Sequence, residues 1–313
     1  MIYSEIALKV LALQLCGHLG TRANFWKNHA TKNAIDALLR TNPDVIEKMK
    51  ELTNRFENDS SAMDGFICIF DDNFPCITSK SSSGEKPYLL FYRGDTQLLS
   101  DLNQNVAVIG LVDPTENIEK RERMVVDNLI EQGLVIVSGL AQGCDTIAHR
   151  VCVERKARTI AILPSPLNAI VPASNQMLAE EIVDAGGLLL TEYFRGTTNH
   201  YEAINRFVER DRLQAMFSKA VILISSYAKD VGDSGSRHAM EKAKKYGHHR
   251  YILYNQETDL NDAQFGLNRQ LFDDEKVPPL TGNIIKNIKE LKVNELSRKF
   301  VVTTCVQTSM LDL

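Results

Sequence analysis

The 313-residue sequence lacks the features that mark several common classes of protein. No apolar run approaches the ~18 residues of a transmembrane helix, so we expect no membrane segment. The first residues lack the basic stretch and apolar core of a secretory signal, and we therefore expect a cytoplasmic protein. The six cysteines include no C-x-x-C pair, which argues against a metal site and against a disulfide framework.

Catalytic signatures are also scarce. The sequence has no Gly-Lys-Ser/Thr phosphate loop and no serine or cysteine nucleophile motif. His149 follows Asp145 by four residues on a predicted helix, which is the spacing of a proton-transfer pair. A histidine in this position more often packs at a helix–sheet boundary. We therefore expect no enzyme activity and no cofactor.

Positive charge is not in excess either. The formal net charge of −4 excludes a globally basic nucleic-acid coat, but a local basic patch stays open because binding depends on where the charges lie. With 44% hydrophobic and 24% charged residues, the composition is that of a globular protein with a large core.

Short apolar runs alternate with helical segments from about residue 104 onward. The predicted strands are 106–109, 134–137, 159–163, 187–190, 220–224 and 250–254. Fully apolar strands that alternate with helices are typical of a parallel sheet covered on both faces. We therefore predict an α/β fold, in which an extended Rossmann-like parallel or mixed sheet is flanked by helices and preceded by a small N-terminal helical domain.

The predicted organisation has three parts. Residues 1–60 form the helical N-terminal domain, 61–275 the Rossmann-like domain, and 276–313 a C-terminal helix and tail. Within the second part, the serine-rich segment 79–86 has the composition of a mobile loop.

The most informative segment is 138–145, Ser-Gly-Leu-Ala-Gln-Gly-Cys-Asp, between a predicted strand and a predicted helix. Gly139 and Gly143 let the backbone approach a ligand closely. Free N–H groups at the start of the helix bind phosphate or another anion. A strand–glycine–helix junction is also the ordinary way in which an α/β domain turns a corner.

A second loop, 230–241, repeats this arrangement after the strand at 220–224. The small residues Ser234, Gly235 and Ser236 expose the backbone, and the two serine hydroxyls can donate to phosphate. Because the carboxyl ends of parallel strands meet at one edge of a sheet, the two loops predict a pocket there.

Two arginines flank an acid in the segment 207–212. Arginine binds phosphate with a bidentate fork. Residues two apart on a helix do not share a face, so one arginine can bind a ligand while Asp211 orients the other. A surface or interdomain salt bridge by Arg210 or Arg212 is the alternative.

In their order and spacing, these motifs resemble the DNA-processing protein A family, also called Smf, over residues 64–272. The resemblance rests on 138–149, 159–163, 187–193, 207–212 and Ser234-Gly235-Ser236. It implies a Rossmann-like, non-catalytic protein that binds single-stranded DNA, delivers it to a RecA-type recombinase and forms a homodimer. The implied basic pocket for the DNA backbone consists of Ser138, Gly139, Gln142, Gly143, Asp145, Arg210, Arg212, Ser234, Gly235 and Ser236.

The sequence departs from the family pattern at three charged positions. Val112 and Gln142 stand where the family carries arginine, and Asp211 stands where it carries asparagine. Each change removes positive charge from the implied pocket or adds negative charge to it.

Two other functions stay open. One is a nucleotide-binding sensor or a phosphoribohydrolase-like protein of the same superfamily, although residues 231–239 lack the glutamate of those enzymes. The other is a protein-interaction module that kept the fold and lost the ligand.

Overall fold

A computed structural model describes residues 1–58, 63–229, 231–232, 235–293 and 296–297. This part of the chain begins with α1 (Glu5–Leu15), α2 (Arg22–Asn28), α3 (Lys32–Thr41) and α4 (Pro43–Asn58). The side chains of Ser4, Thr21 and Thr31 each accept a hydrogen bond from a backbone N–H in the first turn of the helix that follows. These caps explain where the first three helices begin.

A mixed sheet follows the N-terminal helices. The strands are β1 (Gly65–Cys68), β2 (Ile77–Thr78), β3 (Leu89–Gly94), β4 (Asn105–Ile109), β5 (Val135–Ser138), β6 (Thr159–Ile162), β7 (Leu188–Thr191), β8 (Ala220–Leu223), β9 (His249–Ile252) and β10 (Leu296–Ser297). Eight of them form one sheet in the order β1-β3-β7-β6-β5-β4-β8-β9. Neighbours from β7 to β9 in that order run parallel, while β3 and β1 add antiparallel strands at one edge. The short strands β2 and β10 pair with each other.

Helices alternate with the strands from β4 to β9, and two further helices follow β9. They are α5 (Glu116–Glu131), α6 (Cys144–Glu154), α7 (Gln176–Asp184), α8 (His200–Met216), α9 (Ser236–Tyr246), α10 (Gly266–Glu275) and α11 (Gly282–Asn287). The predicted α/β fold with an extended Rossmann-like sheet is therefore confirmed. Of the predicted C-terminal helix and tail, 298–313 lies outside the described residues.

The strand order places a crevice at the centre of the sheet. The chain runs from β4 outward through β5 and β6 to β7, and then returns to place β8 on the other side of β4. A reversal of this kind opens a crevice outside the carboxyl ends of the central strands, which is where ligands of such sheets bind. The loops after β4, β5 and β8 meet there.

The N-terminal helices share apolar packing with the outer strands. One hydrophobic cluster contains Leu11 of α1 and Phe56 of α4 together with Phe66 of β1 and Phe91 of β3. Tyr3 stacks on Phe66 with 4.8 Å between ring centroids. The division into domains at residues 60 and 275 stays a prediction.

Segment 79–86 is tied to its surroundings rather than solvated as its composition suggested. Glu85 is 8% exposed and pairs with Lys242 at 2.7 Å and Lys245 at 2.6 Å, both on α9. Arg22 of α2 donates to the Gly84 carbonyl oxygen at 2.9 Å.

Within the described ranges, no helix is both long and apolar enough to cross a membrane.

Candidate functional site

A cleft of about 690 Å³ opens at the carboxyl edge of the sheet, between the loops after β4 and β5, α8 and the start of α9. It is lined by Val112, Ala141, Ile204, Phe207, Val208, Arg210, Asp211, Gly232, Gly235, Arg237 and His238. The two predicted glycine-containing loops thus lie on the same cavity, with one of the two predicted arginines between them. A cavity of this size accommodates a nucleotide-sized ligand.

Arg210 is the central cation of this cleft and is 7% exposed. Its Nη1 atom donates to the Gly139 carbonyl oxygen at 2.5 Å and lies 3.6 Å from Asp145 Oδ2. Its Nε atom lies 3.2 Å from Asp211 Oδ1. The guanidinium is thereby held across the loop that follows β5, between two carboxylates.

The glycines of that loop are required by close approaches within the protein. A Cβ atom at Gly139 would overlap the Arg210 guanidinium, and one at Gly143 would overlap the Leu111 carbonyl oxygen. Gly143 also has a φ of +71°, in the region that favours glycine. The first N–H of α6, from Cys144, donates to the Leu111 oxygen at 2.8 Å. These glycines therefore position Arg210 and the loop after β4.

Three other predicted residues of the segment 138–145 do not line the cleft. Ser138 is fully buried, and its hydroxyl donates to the Val108 carbonyl oxygen of β4 at 2.7 Å. Gln142 is exposed on the loop. Asp145 is 6% exposed and accepts a hydrogen bond from the Ala141 N–H at 3.3 Å. Its carboxylate occupies the first turn of α6, where an anionic ligand would otherwise bind.

The second loop contributes the start of α9. Gly235 is the residue before the helix and has a φ of +87°. Ser236 is 7% exposed, and its hydroxyl donates to the Gly110 carbonyl oxygen at 3.2 Å, which ties α9 to the end of β4. Ser234, also predicted for this site, lies outside the described residues.

Arg212 lies on the other side of α8 from Arg210 and is 2% exposed. It contacts Glu192 after β7, and its Nε lies 3.2 Å from Glu209 Oε2. Arg22 of α2 contacts the same two glutamates. We call these four residues the α2–α8 ion cluster. Arg212 thus takes part in the salt bridge that was the alternative interpretation of the sequence.

The predicted site left out several residues that line the cleft, although two of them, Phe207 and Val208, belong to the motif 207–212. Ile204, Phe207 and Val208 lie one or two helical turns before Arg210 and Asp211, so the period of a helix places all five on one side of α8. That spacing was the available signal. Arg237 was not predicted, because its position depends on how α9 packs against the sheet.

His149 packs at the helix–sheet boundary. It is fully buried, and Nδ1 lies 2.9 Å from the Thr159 hydroxyl of β6. Burial, aided by the charge of Arg210, lowers the pKa of His149 to about 3. Across the described residues, no group of histidine, cysteine or carboxylate side chains is arranged to hold a metal ion.

The fold and the cleft together define an extended Rossmann-type α/β protein with a cleft at the carboxyl edge of its parallel strands. The family model of DNA recombination-mediator protein A matches residues 65–276, and the chain belongs to this family. The resemblance inferred from the motifs is therefore confirmed.

Two curated relatives show the extent of the similarity. Protein Smf of Synechocystis is 29% identical over 267 residues, which are 83% of this chain and 64% of that protein. The DNA processing protein DprA of Streptococcus pneumoniae is 35% identical over 143 residues, 45% of this chain and 49% of that protein. The chain thus spans about half to two thirds of the length of these relatives.

Two solved structures share the fold. That of DprA from Streptococcus pneumoniae has a TM-score of 0.62 at 23% identity and covers 91% of this chain and 93% of that one. That of DNA processing protein A from Helicobacter pylori, described for its single-stranded DNA binding mode, has a TM-score of 0.57 at 28% identity. It covers 70% of this chain and 93% of that one.

Proposed function

We propose that the protein binds single-stranded DNA in the cleft beside Arg210 and acts in DNA processing or recombination. The observation that carries this proposal is family membership over residues 65–276, the part of the chain that builds the cleft. The Helicobacter pylori relative, described for its binding of single-stranded DNA, covers 70% of this chain and supports the same assignment.

The geometry of the cleft suits a single strand. Phe207 is half buried in its wall, and its ring lies 5.8 Å from the Arg210 guanidinium carbon. Aromatic rings stack on unpaired bases, and arginine adds a cationic contact to the strand. In a duplex the bases are paired and stacked, and a cleft of this shape does not reach their faces. Preference for the single strand follows from this difference.

The finer parts of the proposal come from the family resemblance. They are a non-catalytic role, delivery of DNA to a RecA-type recombinase, a homodimer and a cytoplasmic location. We also propose that Gly139, Gly143, Gly235 and Ser236 shape the cleft around Arg210.

Fluorescence-anisotropy titration with labelled oligonucleotides tests the function directly. Single-stranded and duplex oligonucleotides of one sequence are compared at a low and a moderate salt concentration. We expect at least tenfold tighter binding of the single strand. Equal affinity for the duplex, or no binding at low salt, would contradict the proposal.

Arg210 and Arg212 provide a matched pair of variants, since both are buried on α8 and each contacts two carboxylates. We expect Arg210→Ala to weaken single-strand binding by about tenfold or more, the equivalent of about 1.4 kcal/mol. We expect Arg212→Ala to lower the unfolding temperature while the folded protein keeps its affinity within about threefold, since this side chain faces the ion cluster. Circular dichroism shows which temperatures keep both variants folded. Equal losses of affinity would show that Arg210 has no special role in the cleft.

A further inference from the structure

Both walls of the cleft are helices that also contact charged groups outside it. α8 contributes Arg210 and Asp211 to one wall, and the start of α9 contributes Arg237 to the other. Glu209 and Arg212, which flank the pair on α8 in the sequence, belong to the α2–α8 ion cluster instead. The cleft and the ion cluster therefore lie on different sides of the same turn of α8, and a movement of that turn changes both.

Arg22 of α2 connects this ion cluster with a further part of the chain. Its Nη1 atom lies 3.4 Å from Glu192 Oε2, and its Nη2 atom pairs with Glu209. Its Nε atom donates to the Gly84 carbonyl oxygen at 2.9 Å. A single guanidinium thus contacts the residue after β7, α8 and the segment 79–86. Arginine suits such a position because its N–H donors point in several fixed directions from one planar group.

The serine-rich segment carries this contact on to α9. Glu85 of the segment pairs with Lys242 at 2.7 Å and with Lys245 at 2.6 Å, both on α9. On its other side the segment is bonded to α2 a second time, because Trp26 donates to the Lys86 carbonyl oxygen at 2.9 Å. Both helical walls of the cleft are therefore connected to α2, α8 directly and α9 through this segment.

The charges of the ion cluster balance only while Arg22 is present. The side chains of Glu192 and Arg212 are 9% and 2% accessible, so water solvates them little. Without Arg22, Glu192 and Glu209 would share a single guanidinium, and a buried charge without a full partner is unfavourable. The turn of α8 that carries Glu209 would then move toward water. Arg210 on the same turn, held across the loop after β5, would move with it.

We propose that Arg22 is a positioning residue for the cleft: it holds both helical walls in place and makes ligand binding depend on the N-terminal helices. Arg22 itself does not line the cleft. This inference rests on the proposed function, and it specifies which part of the chain outside the cleft regulates that site. Any event that displaces α2 would therefore weaken binding at the cleft without entering it.

Hydrogen–deuterium exchange of the full-length protein without DNA tests whether Arg22 holds the two walls. We expect Arg22→Ala to speed the exchange of backbone amides in both α8 and α9 at least threefold relative to those of β5. Glu85→Gln removes the charge that the two lysines of α9 contact, and it should speed exchange in α9 but not in α8. Faster exchange in α2 alone, with α8 and α9 unchanged, would overturn the inference.

Arg93→Ala is the matched control for both experiments. Arg93 has 26% of its side-chain surface accessible against 25% for Arg22, and it joins β3 to Glu180 of α7. Its ion pair thus connects a strand and a helix that do not line the cleft. We expect this variant to leave the exchange of α8 and α9 relative to β5 unchanged.

Binding of an oligothymidine, followed by fluorescence anisotropy, gives the functional measurement. At a temperature where all variants are folded, we expect Arg22→Ala to weaken binding five- to tenfold and Arg93→Ala to change it less than twofold. Arg22→Lys keeps the charge without the fork and should recover part of the affinity. The loss for Arg212→Ala should be smaller, because that variant leaves all three contacts of Arg22 in place. A loss for Arg22→Ala no larger than for the control would overturn the inference.

The salt dependence separates positioning from direct contact with DNA. A positioning residue neutralises no phosphate, so we expect the same slope of affinity against salt concentration for the original protein and for Arg22→Ala. A slope lower by about 1 in the variant would mean that Arg22 itself binds a phosphate, and would overturn the inference.

The outcomes also separate this inference from the proposed function. Tight binding of the single strand by the original protein and by Arg22→Ala alike would leave the proposed function standing and overturn the inference. An absence of binding by the original protein would overturn the proposed function and, with it, the regulation of that site. The exchange experiment would then decide by itself whether Arg22 positions α8 and α9.

Discussion

Glu122 is a residue whose environment gives the protein a specific pH dependence. Its side chain lies on α5, fully buried beside the Cys144 thiol at the start of α6. Burial raises the pKa of the Glu122 carboxyl well above its ordinary value. The folded protein therefore keeps this proton at a pH where the unfolded chain has lost it. Stability falls as pH rises above the unfolded pKa, about 4.3.

The variant Glu122→Gln removes that dependence. We expect the variant and the original protein to have similar stability at pH 4, where Glu122 is neutral in the folded protein and mostly protonated in the unfolded chain. At pH 8 we expect the variant to be more stable by at least about 1 kcal/mol, since each unit of pKa shift corresponds to about 1.4 kcal/mol. Urea unfolding at the two pH values measures this. Glu131→Gln, at an exposed position on the same helix, is the control. A difference between variant and original protein that stays constant with pH would contradict the burial argument.

At the residue scale, sequence reasoning predicted backbone geometry better than it predicted side-chain direction. Gly139 and Gly143 were predicted because glycine lets the backbone approach a ligand closely. Both do lie at close approaches, but the neighbouring atoms belong to the protein itself. The resemblance placed Arg212 in the same pocket as Arg210. Residues two positions apart on a helix, however, point in directions that differ by about 200°. Ser138 faces the sheet because it is the last residue of β5 and bonds to the neighbouring strand. The direction of a side chain depends on how the helices and strands pack against each other, and a single sequence does not show this packing.

At the scale of elements, the apolar runs predicted each strand of the parallel sheet to within about two residues. Runs of four or five mostly apolar residues are typical of such strands, because a strand in a parallel sheet is covered on both faces. Segment 79–86 was harder, since its contacts with α2 and α9 come from residues distant in the sequence. The composition of a segment indicates how well water solvates it. It does not indicate which charged residues elsewhere in the chain the segment contacts.

The α2–α8 ion cluster is a contact between two helices whose contribution to stability can be measured directly. Arg22 and Glu209 join α2 to α8, and both are partly exposed, with 25% and 41% of their side-chain surface accessible. We expect a double-mutant cycle with Arg22→Ala and Glu209→Ala to give a coupling energy of about 1–2 kcal/mol, more than an isolated surface pair. Urea unfolding of the original protein, the two single variants and the double variant measures it.

The control is the pair Arg155–Asp127, which lies 2.8 Å apart with 61% and 30% of the side chains accessible. A pair as exposed as this contributes less than about 1 kcal/mol. If the coupling of Arg22 with Glu209 is no larger than that of the control pair, the cluster does not hold α2 against α8.

At the scale of the whole molecule, the question is whether the N-terminal helices and the sheet unfold as one unit. Their apolar residues belong to a common cluster, and Tyr3 stacks on Phe66 of β1. Shared burial of this kind couples two parts of a chain, because exposing one face removes the partner of the other. Two independent domains would instead be joined by few contacts across an exposed boundary.

Trp26, the single tryptophan of the chain, reports on α2 and on its contact with the part of the chain that builds the sheet. It lies on α2, packs against both hydrophobic clusters, and donates from its indole nitrogen to the Lys86 carbonyl oxygen at 2.9 Å. We expect thermal unfolding followed by Trp26 fluorescence to coincide with unfolding followed by far-ultraviolet circular dichroism, which reports on the chain as a whole. Coincident transitions are the test of two-state behaviour. Arg22→Ala, which loosens α2, should move both transitions together. A fluorescence transition at lower temperature than the dichroism transition would instead establish residues 1–60 as a separate domain, and the shared apolar cluster would then be too weak to couple the two parts.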